Sequence, residues 1–295
     1  MKNTLKPLGW LAISILPMLA FVLIQTAALS MVAIVEAVRI MLGSGAGTQD
    51  YGDLADILTQ SLTDSIGPGI FLSHLLSVLV FGLWYYLIDV RPQRKLKKSA
   101  VKLGKAVWGW SLLLGLGLSV FGTMLVLLGE HFFPDMLAEY HEMLEASFGE
   151  SALAIIAAVL LAPIGEEFLC RGVIQHYAMK VSKRFFVVNI IQALMFAIMH
   201  WNWVQGTYVF FIGLVLGWLK YRHKSLWPPI FVHFIINISS FTWMAYTLEQ
   251  LPEQLAMYAL LLLLSVAGMA AILWRIGRED KAVSSVGADA HIGPL

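Results

Sequence analysis

Two adjacent glutamates interrupt an apolar stretch of the sequence, in the run APIGEEFLCRG that begins at Ala162. Glu167 and Arg171 are four residues apart, so on a helix they share one face and can form an ion pair. Glu166 points about 100° away from Glu167 on such a helix, which leaves it free to face a cavity and act as a base. A purely structural ion pair is the alternative interpretation for Glu167 and Arg171, but it does not account for Glu166. Pro163 removes a helical N–H and can open the backbone just before the pair.

A second candidate is the histidine that ends the apolar run FAIMH, at His200. Four side chains around it lie at spacings of three, four and four residues: Asn189, Gln192, Phe196 and His200. This periodicity indicates one helix face that is polar and turned inward. For His200 alone, a hydrogen-bonded core histidine is the alternative interpretation.

The third candidate is the run HFIIN, which begins at His233. His233, Asn237 and Ser240 fall on one helix face. Pro228 and Pro229 precede them and suit a helix start, where a backbone N–H has no helical partner. Taken alone, these polar side chains are also typical of hydrogen bonds between helices in a membrane bundle.

Together the three runs place two glutamates, two histidines, an arginine and an asparagine in apolar helices. Buried ionisable groups are costly in a membrane, so we expect these side chains to meet at one site and satisfy one another. His233 lies 9 residues from Lys224, whereas Glu166 lies 14 residues from Lys180. This difference in depth favours a site nearer the end of the bundle that carries the basic residues.

At these residues the sequence resembles the CAAX proteases and bacteriocin-processing enzymes, also called the Abi or CPBP family. That family shows a Glu-Glu-x-x-x-Arg motif, a Phe-x-x-x-His motif and a His-x-x-x-Asn motif. All three occur here in order: Glu166-Glu167 with Arg171, Phe196 with His200, and His233 with Asn237. The resemblance covers about residues 150–241 and implies a membrane endopeptidase fold, without implying prenylated substrates.

The chemistry expected of this site is peptide hydrolysis, which matches what the resemblance suggests. Glu166 would take a proton from water, and His200 would hold and polarise that water. His233 and Asn237 would donate hydrogen bonds to the oxyanion. Three further side chains are expected to support and orient the catalytic ones: Glu167, Arg171 and Phe196.

A metal-dependent mechanism is the main alternative within the enzyme class. Glu166, His200 and His233 can in principle supply a zinc site with two histidines and one glutamate. The HExxH helix is absent, and the run HEMLE at His141 is only a near match. We therefore expect no cofactor, with zinc as the alternative. Cys170 is expected to be a small buried hydrophobe rather than a nucleophile.

Two classes of function outside catalysis also fit ionisable residues within a membrane. One is a non-catalytic bacteriocin-immunity or binding scaffold of the same fold, against which the intact motifs argue. The other is a proton-coupled carrier, although no inverted repeat of the kind found in transporters is apparent.

The composition indicates which elements must position these residues. Hydrophobic residues make up 59% of the chain and charged residues 13%, with a mean hydropathy of +0.76. Soluble domains carry about 25% charged residues. We therefore predict an all-α, polytopic membrane bundle, with lipid and a membrane-associated peptide or protein as partners and no nucleic acid. Eight transmembrane helices are expected, near 10–33, 70–89, 107–129, 151–171, 186–204, 206–220, 227–246 and 256–275.

The Lys and Arg residues predict the orientation of the bundle in the cell membrane. They concentrate in every second connection, whereas three connections contain none: 43–68, 130–150 and 247–255. The positive-inside rule then places both termini in the cytoplasm. Along the chain we expect N-terminal helices and loops over 1–149, a catalytic core over 150–246, and a last helix with a polar cytoplasmic tail over 247–295.

Overall fold

The computed structural model describes residues 2–43, 51–96, 103–149, 151–242 and 254–289. All regular secondary structure in these ranges is helical, which confirms the predicted all-α class. Parts of the predicted connections 43–68 and 247–255, part of the connection between the predicted spans 70–89 and 107–129, and the end of the predicted span 227–246 lie outside the described residues.

Nine helices are numbered here in chain order. They are α1 (Lys2–Gly43), α2 (Tyr51–Tyr85), α3 (Lys105–Phe132), α4 (Pro134–Ser147), α5 (Ala152–Val181), α6 (Phe185–Ile198), α7 (Trp203–His223), α8 (Trp227–Ser240) and α9 (Leu255–Asp289). A widened, π-helical turn over Tyr86–Val90 follows α2 and leads into a short helix at Arg91–Lys95.

Six of these helices are long and apolar enough to cross a bilayer: α1, α2, α3, α5, α7 and α9. The predicted count of eight is not confirmed, because α6 and α8 have 14 residues each. At 1.5 Å per residue such a helix is about 21 Å long, shorter than the roughly 30 Å hydrocarbon layer. The described chain is thus a membrane bundle of six long helices and three shorter ones, α4, α6 and α8.

The predicted span 186–204 is shortened by a turn that its hydropathy does not reveal. α6 ends at Ile198, and Trp201 adopts a left-handed backbone conformation with φ of 52°. Asn202 then caps α7, because its side-chain oxygen accepts a hydrogen bond of 3.0 Å from the N–H of Gln205. One apolar stretch is therefore divided between two helices.

α5 lies at the centre of the bundle, whereas α1 and α9 lie at its periphery. Within the most apolar window of α5, 56% of the residues are buried, against 11% in both α1 and α9. α5 packs against α2, and one buried cluster there joins Phe81 of α2, Leu169 of α5 and Phe196 of α6. A second cluster joins α3, α7, α8 and α9 around Leu118 and Leu216. The central helix is the one that carries both glutamates.

α5 is irregular on both sides of the glutamate pair. π-helical turns occupy Ala157–Leu161 and Phe168–Ile174, and an ordinary helical turn lies between them. Pro163 follows the first of these turns, as expected from its missing N–H. Wide turns of this kind are frequent at functional sites.

Candidate active site

The predicted pair of Glu167 and Arg171 is present and completely buried. Arg171 donates a hydrogen bond of 2.8 Å from its Nη1 to Oε1 of Glu167, and both side chains have 0% exposure. The second guanidinium nitrogen, Nη2, donates to the backbone carbonyl of Gly213 on α7 at 3.2 Å. The pair therefore fixes the orientation of the Glu167 carboxylate and attaches α5 to α7.

His233 on α8 lies between the two glutamates. Its Nδ1 is 3.0 Å from Oε1 of Glu167, and its Nε2 is 3.7 Å from Oε2 of Glu166. Oε1 of Glu167 accepts from Arg171 as the carboxylate of an ion pair, so Nδ1 of His233 is the donor in the contact that it makes with the same oxygen. Nε2 of His233 is thereby directed toward Glu166.

His200 is oriented in the same way by its own helix. Its Nδ1 lies 2.8 Å from the backbone carbonyl of Phe196, which can only accept a hydrogen bond. Nδ1 therefore carries the proton, and the neutral ring keeps an unprotonated Nε2. This nitrogen can accept a hydrogen bond from a water molecule in the cavity that His200 lines.

Asn237 is engaged by the irregular backbone of α5. Its Nδ2 donates a hydrogen bond of 2.8 Å to the carbonyl of Ala158. In the π-helical turn, the N–H of Ala162 is bonded to the carbonyl of Ala157, and the next donor in line is residue 163, a proline with no N–H. Asn237 thus satisfies a carbonyl that Pro163 leaves without a backbone donor, and it retains a second N–H for other contacts.

Phe196 supports the site from α6. Its ring lies under the guanidinium of Arg171 at 4.3 Å and packs edge-on against the rings of His200 and His233, with centroids 5.0 and 5.7 Å apart. The aromatic face provides a favourable contact for the buried cation. The structure therefore brings together all seven residues that the sequence singled out.

A cavity of about 820 Å³ adjoins this cluster and is lined by Glu166, His200, His233 and Asn237. At its other end it is lined by α4, from Tyr140 to Ser147, and by the turn that follows. The cavity therefore extends from the cluster toward the end of the bundle that carries α4.

α4 is held over the cavity by a pair of tyrosines. The hydroxyls of Tyr140 on α4 and Tyr208 on α7 are 2.9 Å apart and form a hydrogen bond. Burial raises the pKa of Tyr140 above its ordinary value, so it stays protonated and can donate or accept in this contact.

The polar stripe predicted along α6 is confirmed, but half of it joins helices rather than serving the cavity. Asn189 donates to the carbonyl of Leu214 at 2.9 Å, and Gln192 donates to that of Gly213 at 2.8 Å. Both side chains are buried. Only the end of the stripe, at Phe196 and His200, reaches the site.

A further histidine in the cavity, His74 on α2, was not identified from the sequence. It lines the same cavity as Glu166 and interacts electrostatically with Glu166, His200 and His233. No motif surrounds it, and the one available signal was an ionisable residue inside an apolar span.

The candidate zinc ligands do not converge as a metal site requires. Among the residues that the structure describes, no three His, Cys, Asp or Glu side chains are placed to hold one ion together. Cys170 is fully buried, as expected, and does not line the cavity.

Comparisons with known proteins match the segment of the chain that carries the three motifs. Residues 148–239 match the family model described as type II CAAX prenyl endopeptidase Rce1-like, so the resemblance is confirmed over the segment that holds all three motifs. Over 85 residues the chain is 31% identical to the Bacillus subtilis protein named "Putative membrane peptidase YdiL". That match covers 29% of this chain and 34% of the relative, about a third of each. No solved structure matches the chain.

Proposed function

We propose that this protein is an intramembrane endopeptidase that hydrolyses a peptide bond of a membrane-associated substrate with water activated by Glu166. The observation that carries the proposal is the arrangement of Glu166 and His233. They face each other at 3.7 Å beside a cavity, while Glu167 and Arg171 hold the far side of the His233 ring. The similarity of residues 148–239 to membrane proteases of the CAAX type supports the same reaction class.

The first step is removal of a proton from water. Glu166 keeps its carboxylate oxygens free of hydrogen bonds to the described residues, and 9% of the residue is exposed, toward the cavity. His200 can hold the same water through the lone pair of its Nε2, which leaves one water proton directed at Glu166.

The second step is attack of the resulting hydroxide on the peptide carbonyl. A C–O bond forms, the carbonyl π electrons move onto oxygen, and the oxyanion needs hydrogen-bond donors. Nε2 of His233 can donate only when the ring is doubly protonated, because Nδ1 already carries the proton shared with Glu167. The second N–H of Asn237 is a further donor to the oxyanion.

The last step breaks the C–N bond of the tetrahedral intermediate. The proton held by Glu166 passes to the departing amine, and the carbonyl re-forms as a carboxylic acid. Glu166 thus serves first as base and then as acid, which is how one carboxyl group completes a hydrolytic cycle. Every proton transferred in these steps comes from water or from a described side chain, and no step is assigned to a metal.

The test is Glu166→Gln, which keeps the shape of the side chain but cannot accept the proton. We expect loss of hydrolysis by at least about 10²-fold with unchanged yield of folded protein. The measurement is quantitative mass spectrometry of membrane peptides from cells that produce the wild type or the variant. Glu142→Gln, an exposed position on α4, is the matched control and should leave the peptide pattern unchanged.

Two outcomes would contradict the proposal in different ways. Peptide patterns that are identical for the wild type and Glu166→Gln would favour the non-catalytic scaffold. Stoichiometric zinc in the purified wild type, lost in Glu166, His200 or His233 variants and needed for activity, would assign the site to the metalloprotease class.

We further propose that both termini are cytoplasmic, which directs the α4 end of the cavity away from the cytoplasm. Single cysteines replacing Asp56 or Glu139, on a Cys170→Ala background, should react with a membrane-impermeant reagent added to intact cells. A cysteine at Arg94 should not react. Labelling at Arg94 alone would reverse the orientation.

A further inference from the structure

We propose that His74 on α2 is a further catalytic residue, whose Nε2–H donates a hydrogen bond to the substrate carbonyl and to the oxyanion that forms from it. The inference rests on the proposed function, because it assigns a role within the same hydrolysis. It adds a residue from outside the segment 148–239, to which the similarity with CAAX-type proteases is confined.

Close packing of α2 on α5 places His74 beside the glutamate pair. A Cβ atom added to Gly165 would lie 3.4 Å from both Ser77 and Val78 of α2. His74 is three and four residues before these two, so it shares their helix face one turn away. That turn lies at the cavity, which His74 lines together with Glu166.

The electrostatic surroundings of His74 belong to the same site. It interacts with the Glu166 carboxylate and with the rings of His200 and His233, which come from α5, the turn after α6, and α8. A histidine that only filled the core would need no such neighbours. Its position completes a ring of polar side chains around the cavity, contributed by α2, α5, α8 and the turn after α6.

The surroundings of His74 favour one tautomer of its imidazole ring. Its Nδ1 is buried and has no hydrogen-bond partner among the described residues. Leaving an N–H buried without an acceptor is costly, so the neutral ring favours an unprotonated Nδ1 and a proton on Nε2. Since Nδ1 is enclosed, Nε2 is the nitrogen on the edge of the ring that faces the cavity. His74 therefore presents a neutral N–H donor to the cavity.

The N–H groups of the other proposed catalytic side chains are partly engaged by other contacts. The proton on Nδ1 of His200 is bonded to Phe196, and one N–H of Asn237 is bonded to Ala158. His233 donates through Nε2 only in its charged form. Among these side chains a peptide carbonyl thus meets one neutral N–H on Asn237, and His74 supplies another from α2.

Activity tests of this role use three substitutions at one position. His74→Ala should reduce formation of the peptides lost in Glu166→Gln by about 10²–10³-fold, as expected for a missing oxyanion donor. His74→Gln should retain activity within about 10-fold of the wild type, because its amide N–H reaches the place of Nε2. His74→Asn, whose amide corresponds to the place of Nδ1, should be as impaired as alanine.

A matched control separates this role from a general effect on folding. His176 on α5 is also a partly buried histidine in the bundle, but it does not line the cavity. His176→Gln should leave hydrolysis unchanged. Equal activity of His74→Ala and wild type, with Glu166→Gln inactive, would refute the role of His74 while leaving the proposed function intact.

A spectroscopic readout tests the tautomer without any substrate. In the full-length protein labelled with ¹⁵N-histidine, the signals lost in His74→Gln identify the ring of His74. Their shifts should show a protonated Nε2 and an unprotonated Nδ1. The opposite tautomer would overturn the inference even if the enzyme proved active, whereas absence of all peptide differences in Glu166→Gln would instead count against the proposed function.

Discussion

The bundle contains two clusters that combine histidine, carboxylate and cation, and they differ in what surrounds them. The first, called the catalytic cluster after its proposed role, consists of Glu166, Glu167, Arg171 and His233. The second joins Asp89 after α2, His176 on α5 and Lys220 on α7, with Nδ1 of His176 3.7 Å from the Asp89 carboxylate. Both clusters use the central helix α5, and their residue types are nearly the same.

The second cluster is closed by its own neighbours. Tyr85, Gln93 and Lys220 surround the Asp89 carboxylate, and none of the three members of the cluster lines the 820 Å³ cavity. In the catalytic cluster, Oε1 of Glu167 is bonded to Arg171 and His233, but Glu166 faces the cavity. An unengaged carboxylate beside an open space, rather than the set of residue types, distinguishes a candidate active site from an ion cluster.

Removing the cation from each cluster should give the largest contrast. Arg171→Ala leaves a fully buried carboxylate without its partner, which typically costs about 3–5 kcal/mol and should lower both folded yield and activity. Lys220→Ala should cost less, because the Asp89 side chain is 18% exposed and has other polar neighbours. Denaturant unfolding of the detergent-solubilised variants measures both. Normal yield and activity for Arg171→Ala would refute the pairing.

Replacing the histidine of each cluster with alanine should reduce activity far more in the catalytic cluster than in the second cluster. His233→Ala removes the group that faces Glu166 and should slow turnover by about 10²–10³-fold. His176→Ala should change turnover only a few-fold, since it touches no cavity group. Rates of release of the peptides identified with Glu166→Gln provide the measurement. Similar losses of turnover in the two variants would show that lining the cavity does not determine whether a histidine takes part in catalysis.

The smallest effect is expected from the contact that aligns α8 with α5. Asn237→Ala leaves the Ala158 carbonyl without its side-chain donor and should reduce unfolding free energy by about 1–3 kcal/mol, apart from its effect on catalysis. Asn237→Asp should be similar, because a carboxylate cannot donate. Ser240→Ala is the control, as its hydroxyl bonds only to its own helix at Ile236. Unchanged unfolding of both Asn237 variants would argue against this contact.

Much of the candidate site could be predicted from the sequence because its chemistry is unusual for a membrane. Glu167 and Arg171 stand four residues apart in an apolar span, so their pairing follows from helix geometry alone. The convergence of three motifs follows from the cost of leaving charges apart in lipid. The opening of the backbone before the glutamates follows from the missing N–H of Pro163.

The remaining features depend on contacts that no local pattern records. The role proposed for His74 depends on its proximity to Glu166, which lies 92 positions later in the chain. The end of α6 depends on the backbone at Trp201 and the cap from Asn202, within a stretch that hydropathy reads as continuous.

The hydrogen bond between Asn237 and Ala158 has a consequence for how the sequence can change over time. The amide at position 237 compensates for a donor that is missing at position 163, so the two positions are epistatic although 74 residues separate them. A substitution that restores an N–H at 163 relaxes the structural demand for a donor at 237, and the loss of Asn237 is tolerated best after that change. Related sequences should therefore retain proline and a side-chain donor together, or lose them in that order.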